Sequence, residues 1–155
     1  MGDGASIGVG SPAPDFTAES TQGRIRLSNY RGKSVVVLYF YVKDMTPGCT
    51  VQSIGIKDSM ERIRALGAEV IGISSDDLES HKRFAAKYGL NFPLVSDADN
   101  SISKAYGVFN EEKGRARRVT FIIDRDGVIR HIMNRVDVKS HADDVIDMLK
   151  ELQQL

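Results

Sequence analysis

The run Val35-Val36-Val37-Leu38-Tyr39-Phe40-Tyr41 constrains the fold of this chain more than any other stretch. A strand with one wet face would alternate apolar with polar residues, whereas an unbroken apolar run rich in β-branched and aromatic side chains reads as a central strand buried on both faces. Such a strand needs helices above and below its sheet. The surrounding pattern supplies them. From Thr50, Ile56, Met60 and Ile63 recur at helical spacing up to Gly67, with Gly55 as a weak point, and residues 69–74 (EVIGIS) read as a second apolar strand. Asp76, with Glu79 three residues on, predicts the N-cap of a helix that buries His81, Phe84, Ala85 and Tyr88 and stops at Gly89.

Before the central run, Ser11 to Phe16 reads as extended, and Thr21-Gln22-Gly23 predicts a turn before Arg24 to Leu27, so a hairpin opens the domain. After Gly89 come a short strand near Phe92 to Val95, a short helix around Ile102 to Tyr106, and a hairpin. That hairpin is formed by residues 119–124 (VTFIID) and 128–133 (VIRHIM) around Arg125-Asp126-Gly127. A last helix starts near Ser140 and buries Ala142, Val145, Ile146, Leu149 and Leu152. Alternating strands and helices predict parallel pairing, and the closing hairpin adds antiparallel strands. The expected class is α/β, a thioredoxin-like fold: a central mixed β-sheet flanked by helices, with an N-terminal β-hairpin.

A length of 155 residues with 41% hydrophobic and 27% charged residues suits one domain, expected over residues 9–155 behind a flexible tail at 1–8. The 21 basic and 21 acidic side chains cancel, which argues against nucleic acid or an anionic membrane as partner. No apolar run is long enough for a membrane span and the start lacks the pattern of a secretory signal, so a cytoplasmic location is expected. The opening residues fit the Gly2 myristoylation pattern with Ser6, a short pattern that often matches by chance. Gly8 to Gly10 does not complete a dinucleotide fingerprint, and His81, His131 and His141 are too scattered for a metal motif. They read as ordinary surface or partly buried residues, and no cofactor is expected.

One cysteine, Cys49, excludes an internal disulfide and leaves inert packing or a reactive thiol. It follows Lys43-Asp44-Met45-Thr46-Pro47-Gly48, where the central strand passes into the first long helix. Ligand chemistry in α/β sheets sits at such strand-to-helix junctions. An ordinary thiol titrates near about 8.5, and making the thiolate dominant by a shift to about 6 takes roughly 3.4 kcal/mol. A helix N-terminus supplies about 0.3–1 kcal/mol and at most about 2, so a cation must supply the rest. Arg117 and Arg118 are the candidates, and strand alternation points them to opposite faces without choosing between them. Thr46, three residues before Cys49, can bring its hydroxyl alongside the sulfur as a donor to the thiolate or to a bound peroxide, and equally suits a turn or cap. Gln52, one turn on, either touches the site or caps and solvates the helix.

The segments at residues 43–50 (KDMTPGCT), 92–97 (FPLVSD) and 118–124 (RVTFIID) resemble a peroxiredoxin, and among these the Q-type or bacterioferritin comigratory group, with matching order from about Val9 to the C-terminus. The resemblance implies a thiol-dependent peroxidase for hydrogen peroxide and organic hydroperoxides. Cys49 would be the peroxidatic nucleophile, Thr46 and Arg118 its catalytic partners, and Val42, Pro47 and Gly48 the wall of the substrate pocket. In this way the resemblance selects Arg118 over Arg117. Two positions depart from the family pattern: Val42 replaces a proline that shields the cysteine, and Ile54 stands where many members carry a resolving cysteine. A one-cysteine cycle follows, in which Cys49 becomes a sulfenic acid and an external thiol (thioredoxin, glutaredoxin or glutathione) reduces it, with the protein a monomer or weak homodimer. Two other readings compete. A dithiol oxidoreductase would need a second cysteine where Thr46 stands, and a binding or redox-sensing protein would show little peroxidase turnover.

Overall fold

The computed structural model describes residues 7–153. The expected tail and the Gly2 pattern fall, up to Ser6, outside the described residues; Ile7 packs against the core, and the Gly8 carbonyl accepts a bond from the Ser11 N–H. Strands β1 (Thr17–Ser20) and β2 (Gly23–Arg26) form the opening hairpin, and a turn of 3-10 helix at Leu27–Tyr30 leads to β3 (Val35–Phe40). Then follow α1 (Pro47–Ala65), β4 (Ala68–Ser74), α2 (Leu78–Tyr88), β5 (Leu94–Ser96) and α3 (Ser101–Ala105). The chain continues through β6 (Phe109–Asn110), β7 (Arg115–Ala116), β8 (Val119–Ile123), β9 (Ile129–Met133) and α4 (His141–Gln153).

Seven strands make one mixed sheet in the order β2-β1-β5-β4-β3-β8-β9. β3 runs parallel to β4 and antiparallel to β8, and β4 runs parallel to β5, so the expected α/β architecture holds. The alternation of β3 divides the core in two. Val36, Leu38 and Phe40 face a cluster with Leu27, Ile102 and Phe121. Val37, Tyr39 and Tyr41 face Ile56, Met60 and Ile63 of α1, Phe84 of α2 and Val145 and Leu149 of α4. Cys49 belongs to this second cluster, under three helices.

Local chemistry moved several boundaries. α1 begins at Pro47 and not at Thr50, because proline has no N–H to lose and is favoured in the first turn. The N-cap of α2 is Asp77, whose carboxylate accepts the Ser80 N–H at 2.8 Å; Asp76 instead accepts from the Asp44 N–H and the Ser74 hydroxyl. The ribbon β6–β7 is absent from the sequence reading, since two-residue strands carry no periodicity. Leu152 is only partly buried at the end of α4.

Gly72, in the middle of β4, is required by close approach. A Cβ there would stand 2.9 Å from Leu94 Cδ2 and 3.0 Å from Tyr39 Cζ. The Tyr39 ring cannot retreat, because its hydroxyl bonds the Ser53 hydroxyl and its ring packs against Tyr41 and Phe92. Gly72→Ala is therefore expected to destabilise the fold by about 1–3 kcal/mol, read from urea unfolding midpoints. An unchanged midpoint would show that Tyr39 is free to move.

Candidate active site

Thr46 is the N-cap of α1, and Pro47, Gly48 and Cys49 are its first three residues. Proline has no N–H, and the N–H groups of Gly48 and Cys49 have no acceptor one turn back inside the helix, so Cys49 lies in the first turn, at the positive end of the helix dipole. Cys49 itself is 0% exposed. Burial alone would suit inert packing, so the decisive question is what stands beside the helix start.

Arg118 stands there. Its Nη2 lies 3.3 Å from the place a Cβ on Gly48 would occupy, a space that only glycine leaves open to the guanidinium. Arg118 precedes β8, and Thr120 two residues on shares its face, while Arg117 points away and donates to the Gly107 carbonyl at 3.2 Å. Of the two arginines, Arg118 is thus the one that reaches the start of α1. Pro47 is exposed, Gly48 and Val42 are half-buried, and Val42 packs against the cluster that holds Cys49. Ile54 is half-buried on α1.

The expected donation from Thr46 to a thiolate is not made. Its hydroxyl donates to the Lys43 carbonyl at 2.8 Å and makes no capping bond. A hydroxyl has one proton, so Oγ1 offers only lone pairs to anything else in the site.

His81, expected on the buried face of α2, is 0% exposed; His141, read as an ordinary surface or partly buried residue, is instead 1% exposed, while His131 is half-buried. His141 Nδ1 faces Gln52 Nε2 at 3.1 Å and its Nε2 faces the Thr120 hydroxyl at 2.8 Å. Gln52, fully buried, in turn accepts from Arg118 Nη1, so it does touch the site. Burial, helped by Arg118 and opposed by Asp144, pushes the His141 imidazole down to about 4, so it is neutral at neutral pH. The signal available in the sequence was position: His141 starts the stripe that continues through Val145 and Leu149.

On the other side of the junction, His81 Nε2 faces the Val95 carbonyl at 3.0 Å and Nδ1 faces Asp44 Oδ2 at 2.8 Å. Asp44 also accepts from the Tyr41 hydroxyl at 2.6 Å and the Ser80 hydroxyl at 2.8 Å. Burial raises the Asp44 carboxyl, but bonds from His81, Tyr41 and Ser80 and the attraction of His81 outweigh it and hold it below the usual value. The Asp44 carboxylate can only accept, so the 2.8 Å contact is a hydrogen bond donated by His81 Nδ1–H. Asp44, Asp76 and His81 have ligating atoms within 4.8 Å of one another, the geometry of a metal cluster, but those atoms are committed to one another and to neighbouring hydroxyl and N–H groups. This network holds the loop in which exposed Met45 takes a left-handed φ of 67°.

Comparison with known proteins agrees with this arrangement. Residues 9–132 match the AhpC/TSA family. The chain is 42% identical over 152 residues to chloroplastic peroxiredoxin Q of Sedum lineare, covering 96% of this chain and 81% of that protein. It is 40% identical over 150 residues to peroxiredoxin Bcp of Escherichia coli, covering 92% and 96%. Among solved structures, Xylella fastidiosa PrxQ superposes with a TM-score of 0.89 at 30% identity, covering 96% and 99%. The Xanthomonas campestris bacterioferritin comigratory protein, solved to study its alkyl peroxide reduction activity, superposes with a TM-score of 0.85 at 30% identity, covering 94% and 97%. With its thiol at the head of α1 and an arginine beside it, the chain belongs to the AhpC/TSA family, in the peroxiredoxin Q/Bcp group of thiol-dependent peroxidases.

Proposed function

We propose that this chain reduces hydrogen peroxide and organic hydroperoxides in a one-cysteine cycle centred on Cys49. The observation that carries the reading is the placement of the only cysteine as the third residue of α1, in its first turn, with Arg118 beside Gly48. The Cys49 thiolate attacks one peroxide oxygen, an S–O bond forms as the O–O bond breaks, and the leaving oxygen departs as water or alcohol after taking a proton. Sulfur gives up two electrons and becomes a sulfenic acid. Arg118 offsets the negative charge carried from sulfur to the leaving oxygen. Thr46, its own proton given to Lys43, accepts the O–H of the incoming peroxide and so turns the peroxide toward the sulfur. Val42, Pro47 and Gly48 wall the approach.

Ile54 stands where a resolving cysteine would be, so the sulfenic acid is reduced by an external thiol of the thioredoxin, glutaredoxin or glutathione type: one thiol displaces water to give a mixed disulfide, and a second releases Cys49. Turnover therefore needs a compartment rich in reduced thiols, the cytoplasm by this reading. Each chain carries its own Cys49, Thr46 and Arg118, so a monomer or weak homodimer suffices.

Intact-mass analysis after one equivalent of peroxide is expected to show a gain of one oxygen within seconds, absent in Cys49→Ser, and loss of that oxygen on adding a thioredoxin or glutathione couple. Cys49 left reduced would sink the peroxidase reading. Rapid oxidation that no thiol couple reverses would favour a redox sensor with little turnover.

A further inference from the structure

The hydrogen bonds between Arg118 and Thr120 run in one direction only. A guanidinium has donors and no acceptor, so the Gln52 oxygen must face Arg118 and the Gln52 NH2 must face His141. An NH2 group cannot accept, so His141 Nδ1 must be unprotonated and its proton must sit on Nε2, donated to the Thr120 hydroxyl. Gln52, His141 and Thr120 are all buried, which leaves no water to substitute for a missing partner. The chain of bonds ties α1, α4 and β8 together at the level of Cys49.

We propose that His141 is a positioning residue for the peroxide reaction: its unprotonated Nδ1 fixes the Gln52 amide, which holds the Arg118 guanidinium over the first turn of α1. This deepens the role given to Arg118 above and rests on it. Without the Nδ1 acceptor the Gln52 amide has no reason to keep its oxygen toward Arg118, and a half-buried arginine left without that anchor swings toward solvent. Burial keeps His141 neutral, which preserves the acceptor throughout the physiological pH range.

Two substitutions test the role. His141→Phe keeps bulk and removes the acceptor, whereas His141→Asn places a carbonyl oxygen near the position of Nδ1. Quench-flow mass analysis of Cys49 oxidation by hydrogen peroxide is expected to show a loss of about tenfold or more in His141→Phe and recovery to within about threefold in His141→Asn. In an Arg118→Met background, His141→Phe is expected to change the rate by less than about twofold, because the group it positions is gone. Thermal melts report whether each variant folds. Imidazole 15N spectra of the unaltered protein at pH 7 add a readout that needs no variant, with protonation at Nε2 only expected. Protonation at Nδ1, a His141→Phe variant as fast as the parent, or a loss that persists without Arg118 overturns the positioning role. A parent protein whose Cys49 does not react at all overturns the reading of the site instead.

Discussion

Arg118→Met is expected to lower the second-order rate of Cys49 oxidation by hydrogen peroxide by about 10²–10³-fold, the range for removing one fixed donor from charge that develops during reaction. The guanidinium stands against the first turn of α1, and its contact with the empty face of Gly48 brings it to the helix start. Arg118→Lys should recover little of the loss. Lysine is a point charge without a planar fork, so it cannot hold the Gln52 oxygen with one nitrogen while another faces Gly48. Arg118→Met also leaves the buried Gln52 oxygen without its donor, so a stability loss of about 1–3 kcal/mol in urea unfolding should accompany the loss of rate. Oxidation of Arg118→Met within twofold of the parent rate would mean that helix donors alone suffice.

Asp44→Ala is expected to cost about 3–5 kcal/mol of unfolding free energy at pH 7, because it leaves the His81 ring N–H, the Tyr41 hydroxyl and the Ser80 hydroxyl without their common acceptor in a buried site. The pH dependence carries a definite sign. The Asp44 carboxyl is held below its ordinary value of 3.8 in the folded protein. Its contribution is therefore full above that value and fades as pH falls through the lower folded value. The gap between parent and variant should thus be widest near neutrality and narrow below about pH 4, measured by urea unfolding at pH 7 and pH 3. An equal gap at both pH values would show that packing, and not the ionised carboxylate, holds the loop.

Much of the fold was legible because its central elements obey simple periods. Val35 to Tyr41 announced β3 by composition, and Ile56, Met60 and Ile63 announced α1 by spacing. The start of α1 was also within reach, since Pro47 is a favoured first residue, but the apolar stripe that marks a helix begins only beyond Gln52. The choice between Asp76 and Asp77 as N-cap was not legible: it turns on the Asp44 N–H, which arrives from 32 positions away. The burial of His81 and His141 was within reach of the helical spacing on α2 and α4, but the partners of His141 were not, because Gln52 and Thr120 come from α1 and β8. Cys49 and Thr46 were legible in place, but the bond made by the Thr46 hydroxyl was not, because the direction of a hydroxyl proton is decided by the turn of the chain around it.

The two faces of β3 have a consequence for how such a protein can change over evolutionary time. Val36, Leu38 and Phe40 pack into the cluster with Leu27, Ile102 and Phe121, which does not include Cys49, so substitutions there bear first on fold stability. Tyr39 and Tyr41, one residue out of step, carry hydroxyls bonded to Ser53 on α1 and to Asp44 in the loop, and they reach the surroundings of Cys49. The odd-numbered positions therefore carry both the surroundings of the thiol and the hydrogen bonds that hold the helix and the loop, so a change there alters reactivity and stability together, whereas a change at the even-numbered positions bears on the scaffold.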